Sequence, residues 1–251
     1  MSAPPIRAPL AERTEPVARA EPARAARGPL KQRLQGFARG VLDPVVGLLE
    51  RTHARPDQVT LLGTLLAGAA GVAFFQGRSR IAATLLLASG VCDILDGQLA
   101  RRLGPESRFG AFLDSTLDRI ADAAVLAGIA GFYLRNLLAL VYRGDDAIRQ
   151  IEAGLVPDTW AVMAFVSLLA LVGSLLVSYT RARAEGLGLE CKVGWFERPE
   201  RMALLIVAGF VHRFWVMSAA LLLLVVLSFW TAGQRVWHVW KITRGAGRDG
   251  R

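Results

Sequence analysis

The chain has 251 residues, 53% of them hydrophobic, with a mean hydropathy of +0.37, a balance that excludes an ordinary soluble domain and points to an integral membrane protein. Its formal net charge of +9 does not indicate a nucleic-acid partner, because the basic residues flank apolar runs, as in proteins oriented by the positive-inside rule. Two cysteines, Cys92 and Cys191, offer no disulfide framework, and neither stands in a CxxC pair.

Residues 1–28 are rich in Pro, Ala and Arg and lack the apolar core of a secretory signal, so they read as a disordered basic tail. Residues 29–55 carry Leu30, Leu34, Phe37, Val41, Val45 and Leu48 at helical intervals, with Lys31, Arg33 and Arg39 facing elsewhere. That pattern predicts an amphipathic helix in the membrane interface, with its cations near anionic lipid heads; the alternative is a helix packed on its own protein.

Apolar runs follow over 59–76, 81–100, 110–140, 160–180, 202–211 and 214–232. Several have the roughly 20 residues that cross a hydrocarbon core. The run at 202–211 is short, but with Trp195 and Phe196 before it and a turn at His212 and Arg213 it fits a tightly turned helix pair. The predicted architecture is therefore an all-α integral membrane protein, with six transmembrane helices in a domain over 56–241 and a basic tail over 242–251. Six spans put both termini on one side, together with the loop RRLGPESR and the segment from Arg181 to Arg201. The positive-inside rule makes that side cytoplasmic, in a multi-pass protein of the cell membrane. The loop of mixed charge over 143–158 falls on the opposite face.

Within the second and third spans lie four acids that the bilayer disfavours. Asp93 and Asp96 share one helical face, as do Asp114 and Asp118 on the next helix. A short connection makes the two helices antiparallel, so all four carboxylates converge. Together they need a cation, and Mg²⁺ or Mn²⁺ prefers such oxygen ligands. Two ions about 4 Å apart would make a clamp for displacement at phosphorus. Gly97, Ala100 and Gly110 leave room beside the helices, and Arg101 offers a fork for phosphate oxygens. Asp122 continues the stripe of Asp114 and Asp118 and is expected to support the ligands rather than be one.

The string Asp93-x2-Asp96-Gly97-x2-Ala100-Arg101-x8-Gly110-x3-Asp114-x3-Asp118 resembles the signature of the CDP-alcohol phosphotransferase family at every fixed position and spacing. The resemblance extends to the six-helix layout after residue 28. It implies that Asp93, Asp96, Asp114 and Asp118 hold two metal ions per active site and that Asp118 also serves as the base for the acceptor hydroxyl. It further implies that the CMP moiety of CDP-diacylglycerol lies near Gly97, Arg101, Ser107 and Gly110, with Thr60 in a pre-helix nucleotide segment, and that the protein is a homodimer. Gly128 and Gly131 hint at close helix packing. Simple ion pairs between these acids and Arg101 or Arg119 would not explain the full spacing. A cation channel or transporter would explain the acids but not Gly97, Ala100, Arg101 and Gly110.

The acceptor must be read elsewhere. Arg181, Arg198, Arg201 and Arg235 sit at the ends of apolar runs on the same side, which suggests an acceptor that is itself a phosphate ester. These stretches resemble the phosphatidylinositol-phosphate synthase branch of the family: Ser178 and Arg181 match its Ser-x-x-Lys element with Arg for Lys, Arg201 matches its ERxER element, and Arg235 resembles a basic residue of its last helix. The resemblance implies transfer of a phosphatidyl group from CDP-diacylglycerol to inositol 1-phosphate, releasing CMP. Glycerol 3-phosphate, giving phosphatidylglycerophosphate, is the alternative acceptor.

Overall fold

The computed structural model describes residues 40, 42–52, 55–103, 107–142, 148, 151, 152 and 154–246. The tail over 1–28 and most of 29–41 lie outside them. Among the described residues, six helices follow one another: α1 (Pro56–Phe75), α2 (Ser79–Leu103), α3 (Arg108–Tyr142), α4 (Pro157–Gly186), α5 (Arg198–Val211) and α6 (Phe214–Ala246).

Their ends follow local chemistry. α1, α4 and α5 each carry proline in the first turn, where its missing N–H is not needed and its φ already suits a helix. At α1 the Gln58 side chain accepts the Arg55 backbone N–H at 3.1 Å, closing the first turn. α5 is held the same way, its Glu197 N–H donating to Glu200 at 3.1 Å.

Five helices, all but α5, are long and apolar enough to cross a bilayer, and their outward faces present apolar side chains such as Leu65, Phe165 and Val226. This is a multi-pass membrane protein. The sequence predicts six spans, whereas α5 has 14 residues, about 21 Å at 1.5 Å per residue, against a hydrocarbon core of about 30 Å. The reason lies at its two ends. At one, the Ser79 hydroxyl on the first turn of α2 donates to the Gly209 carbonyl at 3.0 Å. At the other, Arg198 reaches Asp93 on α2. α5 thus runs antiparallel to α2 only as far as Asp93, where its charged first turn meets the acids.

Small residues bring the helices together. A Cβ on Gly71 would strike the Ala124 backbone, and one on Gly128 would strike the Gly71 carbonyl. A Cβ on Gly131 would come within 2.7 Å of the Phe75 ring. Gly128 and Gly131 therefore serve the contact between α1 and α3 inside the chain, not a face for a second copy. The core continues through Ala67, Leu86, Val125, Ile129, Leu221 and Leu224. It is closed at the end away from the acids by Phe132, Tyr133, Trp160 and Phe214, whose rings meet largely edge to face.

Residues 42–51 are helical. Val46 there is fully buried against Val59, Cys92, Leu95 and Leu99, and Arg102 of α2 bonds Asp43 at 2.7 Å and Glu50 at 3.3 Å. This part of the predicted interfacial helix is seated on the ends of α1 and α2, with Val45 and Leu48 left exposed. At the other end of the chain α6 runs past Gly233 to Ala246, carrying stacked Trp237 and Trp240, with Arg244 over the Trp240 ring at 4.3 Å.

Candidate active site

α2 and α3 supply the acids at helical spacing, and the structure brings them to one cavity of about 450 Å³. Asp93, Asp96, Asp114 and Asp118 line it together with Thr60, Gly97, Ser107, Gly110 and Arg198. Asp96 is buried and accepts the Thr60 hydroxyl at 2.8 Å, which ties α1 to the acid pair. Ser107 accepts the Gly110 N–H at 2.9 Å, capping the start of α3. A side chain at Gly110 would crowd Ser107 at 3.0 Å and approach Asp57 at 3.5 Å, so its smallness keeps this wall open. Arg101 stays outside the lining and is exposed, its guanidinium 3.5 Å from where a Cβ on Gly97 would stand.

A second cavity, of about 440 Å³, adjoins the first. Ser178, Arg181, Arg198, Arg201 and Arg235 all line it, with Asp114, Asp118, Asp122, Glu185 and Glu197. The two cavities share Asp114, Asp118 and Arg198. The first space is rimmed mainly by carboxylates, the second by five arginines interleaved with five carboxylates, and these three side chains form the wall between them.

The arginines of the second cavity differ in how much of their bonding capacity the protein already uses. Arg181 donates from Nε to Glu185 at 2.8 Å and faces Glu197 at 3.6 Å. Arg235, almost wholly buried, gives Nε to the Val193 carbonyl at 3.0 Å and Nη1 to that of Val177, and faces Glu197 at 3.6 Å. It pins α6 to α4 and to the segment before α5. Arg201, also buried, gives Nη2 to Asp122 at 2.7 Å, while its Nε and Nη1 have no hydrogen-bond partner among the described residues. Asp122 accepts the Ser174 hydroxyl at 2.8 Å as well.

Arg198, expected on the acceptor side, lines that cavity and also reaches the acids of the first. Its Nη1 bonds Asp93 and stands 2.8 Å from Asp118 Oδ1, and its Nε lies 3.4 Å from Asp122. The acids are thus countered by neither Arg101 nor Arg119, whose Nη1 turns to the Ser115 carbonyl. Asp57, in the pre-helix segment with Thr60, lines the first cavity, and Glu185 and Glu197, which carry no signal in the sequence, line the second. For Asp122 the signal was present, since it stands one helical turn beyond Asp118.

As they stand, the described residues include no group of three acidic, histidine or cysteine side chains gathered closely enough to cage an ion. The donor set nevertheless fits a hard divalent cation, being four carboxylates on two adjacent helices around one cavity. That a guanidinium is bound between Asp93 and Asp118 shows this spot to be one that takes positive charge.

A family model described as CDP-alcohol phosphatidyltransferase matches residues 53–231. The chain belongs to the CDP-alcohol phosphatidyltransferase family. As a member of that family it is a transferase of phospholipid biosynthesis. Archaetidylinositol phosphate synthase of Methanothermobacter thermautotrophicus is 37% identical over 206 residues, covering 81% of this chain and 90% of that protein. The crystal structure of the phosphatidylinositol phosphate synthase of Mycobacterium tuberculosis with CDP-DAG bound superposes with a TM-score of 0.63 at 32% identity, covering 78% of this chain and 92% of that one. The same enzyme in complex with manganese and citrate gives a TM-score of 0.64 at 32% identity, over 78% and 88% of the two chains.

Proposed function

We propose that this transferase moves a phosphatidyl group from CDP-diacylglycerol to inositol 1-phosphate, yielding phosphatidylinositol phosphate and CMP. The observation that carries the reading is the pair of cavities divided by Asp114, Asp118 and Arg198. A donor diphosphate in the first space and an acceptor phosphate in the second would meet across that wall. Support for the acceptor comes from the relatives: the two enzymes above share inositol phosphate in their names and differ in the lipid named with it.

In this reading Asp93, Asp96, Asp114 and Asp118 hold two Mg²⁺ or Mn²⁺ ions; the manganese complex of the M. tuberculosis enzyme supports the choice of metal. When bound, such ions offset the negative charge of the diphosphate. Thr60 orients Asp96 through its hydroxyl, and Gly97, Ser107 and Gly110, with Arg101 above them, bind the CMP moiety. Asp118 borders both cavities and is the group placed to take the proton from the acceptor hydroxyl. The oxygen so freed attacks the phosphorus that bears diacylglycerol, the bond from that phosphorus to CMP breaks, and CMP leaves with the electron pair. Ser178, Arg181, Arg198, Arg201 and Arg235 receive the acceptor phosphate, with Arg201 the main ligand because its Nε and Nη1 have no hydrogen-bond partner among the described residues.

The site faces the cytoplasm, with both termini on that side and α5 completing a sixth, shallow pass; the basic residues gathered at that end support this. The enzyme works as a homodimer. The deciding experiment supplies purified enzyme with CDP-diacylglycerol, Mg²⁺ and one acceptor at a time. Lipid product with inositol 1-phosphate is expected; product with glycerol 3-phosphate alone would overturn the acceptor assignment.

A further inference from the structure

We propose that Arg198 is a positioning residue that couples cation loading to capture of the acceptor phosphate, because its guanidinium and a divalent cation claim the same carboxylates. The inference rests on the reading above, in which the acids hold the cation and the second cavity holds the acceptor.

Three observations carry it. First, Arg198 bonds both Asp93 on α2 and Asp118 on α3, at 2.8 Å in the latter case. A divalent ion entering between these acids comes within a few ångströms of a fixed positive charge, and one of the two must give way. Second, the backbone under Arg198 is anchored by Pro199 and by the Glu197–Glu200 cap at the start of α5. The side chain is therefore the part that moves. Third, a second acid waits on the other side: Arg198 Nε lies 3.4 Å from Asp122, which already holds Arg201 in the second cavity. A guanidinium released from Asp93 and Asp118 keeps Asp122 as counter-ion and turns its Nη groups into the space lined by Arg181 and Arg201.

That movement adds positive charge where the protein's own acids have already claimed much of it. Arg181 and Arg235 are engaged by Glu185, Glu197 and backbone carbonyls, so a displaced Arg198 supplies fresh donors for a phosphate dianion. Linkage makes the effect mutual: an anion that draws Arg198 into the second cavity must strengthen cation binding in the first by the same factor. The acceptor is thereby admitted best when the site is loaded.

The test measures binding without turnover. Mn²⁺ is titrated calorimetrically into the full-length protein in detergent, without CDP-lipid, in the presence or absence of saturating sulfate or inositol 1-phosphate. In the wild-type protein either anion should tighten Mn²⁺ binding, within the roughly 5- to 150-fold range usual for coupled sites. In Arg198→Gln, Mn²⁺ should bind more tightly than to wild type without anion, and the anion should then change the affinity less than about twofold. Wild-type Mn²⁺ affinity indifferent to both anions overturns the coupling without recourse to any variant, as does Arg198→Gln binding Mn²⁺ no more tightly. Asp118→Asn separates the two levels. If it weakens Mn²⁺ binding while Arg198→Gln behaves as wild type, the metal assignment stands and the coupling falls; if it leaves Mn²⁺ affinity unchanged, the assignment of the acids fails first.

Discussion

Arg198 Nη1 and Asp118 Oδ1 stand 2.8 Å apart, joining the first turn of a short helix to the third turn of α3 at the wall between two cavities. Asp118 therefore has an arginine beside it as well as two spaces to serve. Replacing it with Asn removes the proposed base and one cation ligand while keeping the side-chain volume. Transfer should fall at least 100-fold, the lower end for a general base. CDP-diacylglycerol binding, measured by equilibrium dialysis in detergent, should survive. Transfer at a wild-type rate by Asp118→Asn would remove Asp118 from the chemistry.

Arg201 and Asp122 form a buried pair at 2.7 Å. Removing Arg201 leaves Asp122 with only the Ser174 hydroxyl and Arg198 Nε at 3.4 Å, so the cost falls below the about 3–5 kcal/mol of a fully stranded buried charge. Arg201→Ala should lower the thermal midpoint in detergent clearly, and any folded fraction should show a raised KM for inositol 1-phosphate with a smaller change for CDP-diacylglycerol. An equal rise in both constants would argue against an acceptor-side role.

The contact between α1 and α3 depends on Gly71 and Gly128 lying backbone to backbone. Gly128→Leu should prevent that approach, with an overpacking cost of about 1–3 kcal/mol or more, seen as loss of monodisperse protein on size exclusion. Gly90, whose missing Cβ would meet nothing within 4 Å, is the control; Gly90→Ala should behave as wild type.

The segment over 42–51 is held by two kinds of contact of unequal weight. The Arg102 pairs with Asp43 and Glu50 are half-exposed, and such pairs contribute about 1 kcal/mol or less. Val46 is fully buried. Arg102→Ala should leave the thermal midpoint nearly unchanged, whereas Val46→Asp, which buries an unpaired charge, should expose residues 42–51 to protease. Equal effects of the two substitutions would contradict this ranking.

Much of the site is legible in the sequence because helical geometry is local. Asp93 with Asp96, and Asp114 with Asp118, must share faces wherever their helices go, and the short connection between those helices brings the pairs together. The acceptor-side arginines are legible as a set, since Arg181, Arg198, Arg201 and Arg235 all line one cavity, whereas Arg101 stays outside it. Their individual roles are not. Arg235 reads as a phosphate ligand, yet the folded chain bonds it to the carbonyls of Val193 and Val177, a use that depends on three segments meeting. The six predicted spans likewise rest on apolar runs and local turn signals, which could not show that the 14-residue α5 begins beside Asp93, with Arg198 of its first turn paired to that acid.

By itself, then, the sequence determined an all-helical membrane protein with a carboxylate signature, since hydropathy and a period of 3.6 residues act over short distances along the chain. Only the tertiary structure decided that Arg198 stands between Asp93 and Asp118, that Asp122 holds Arg201 and that Gly128 meets Gly71 inside the chain. Those relationships arise where α5 packs on α2 and α3 on α1, and such pairings are set by the fit of whole helix surfaces, which no local spacing records.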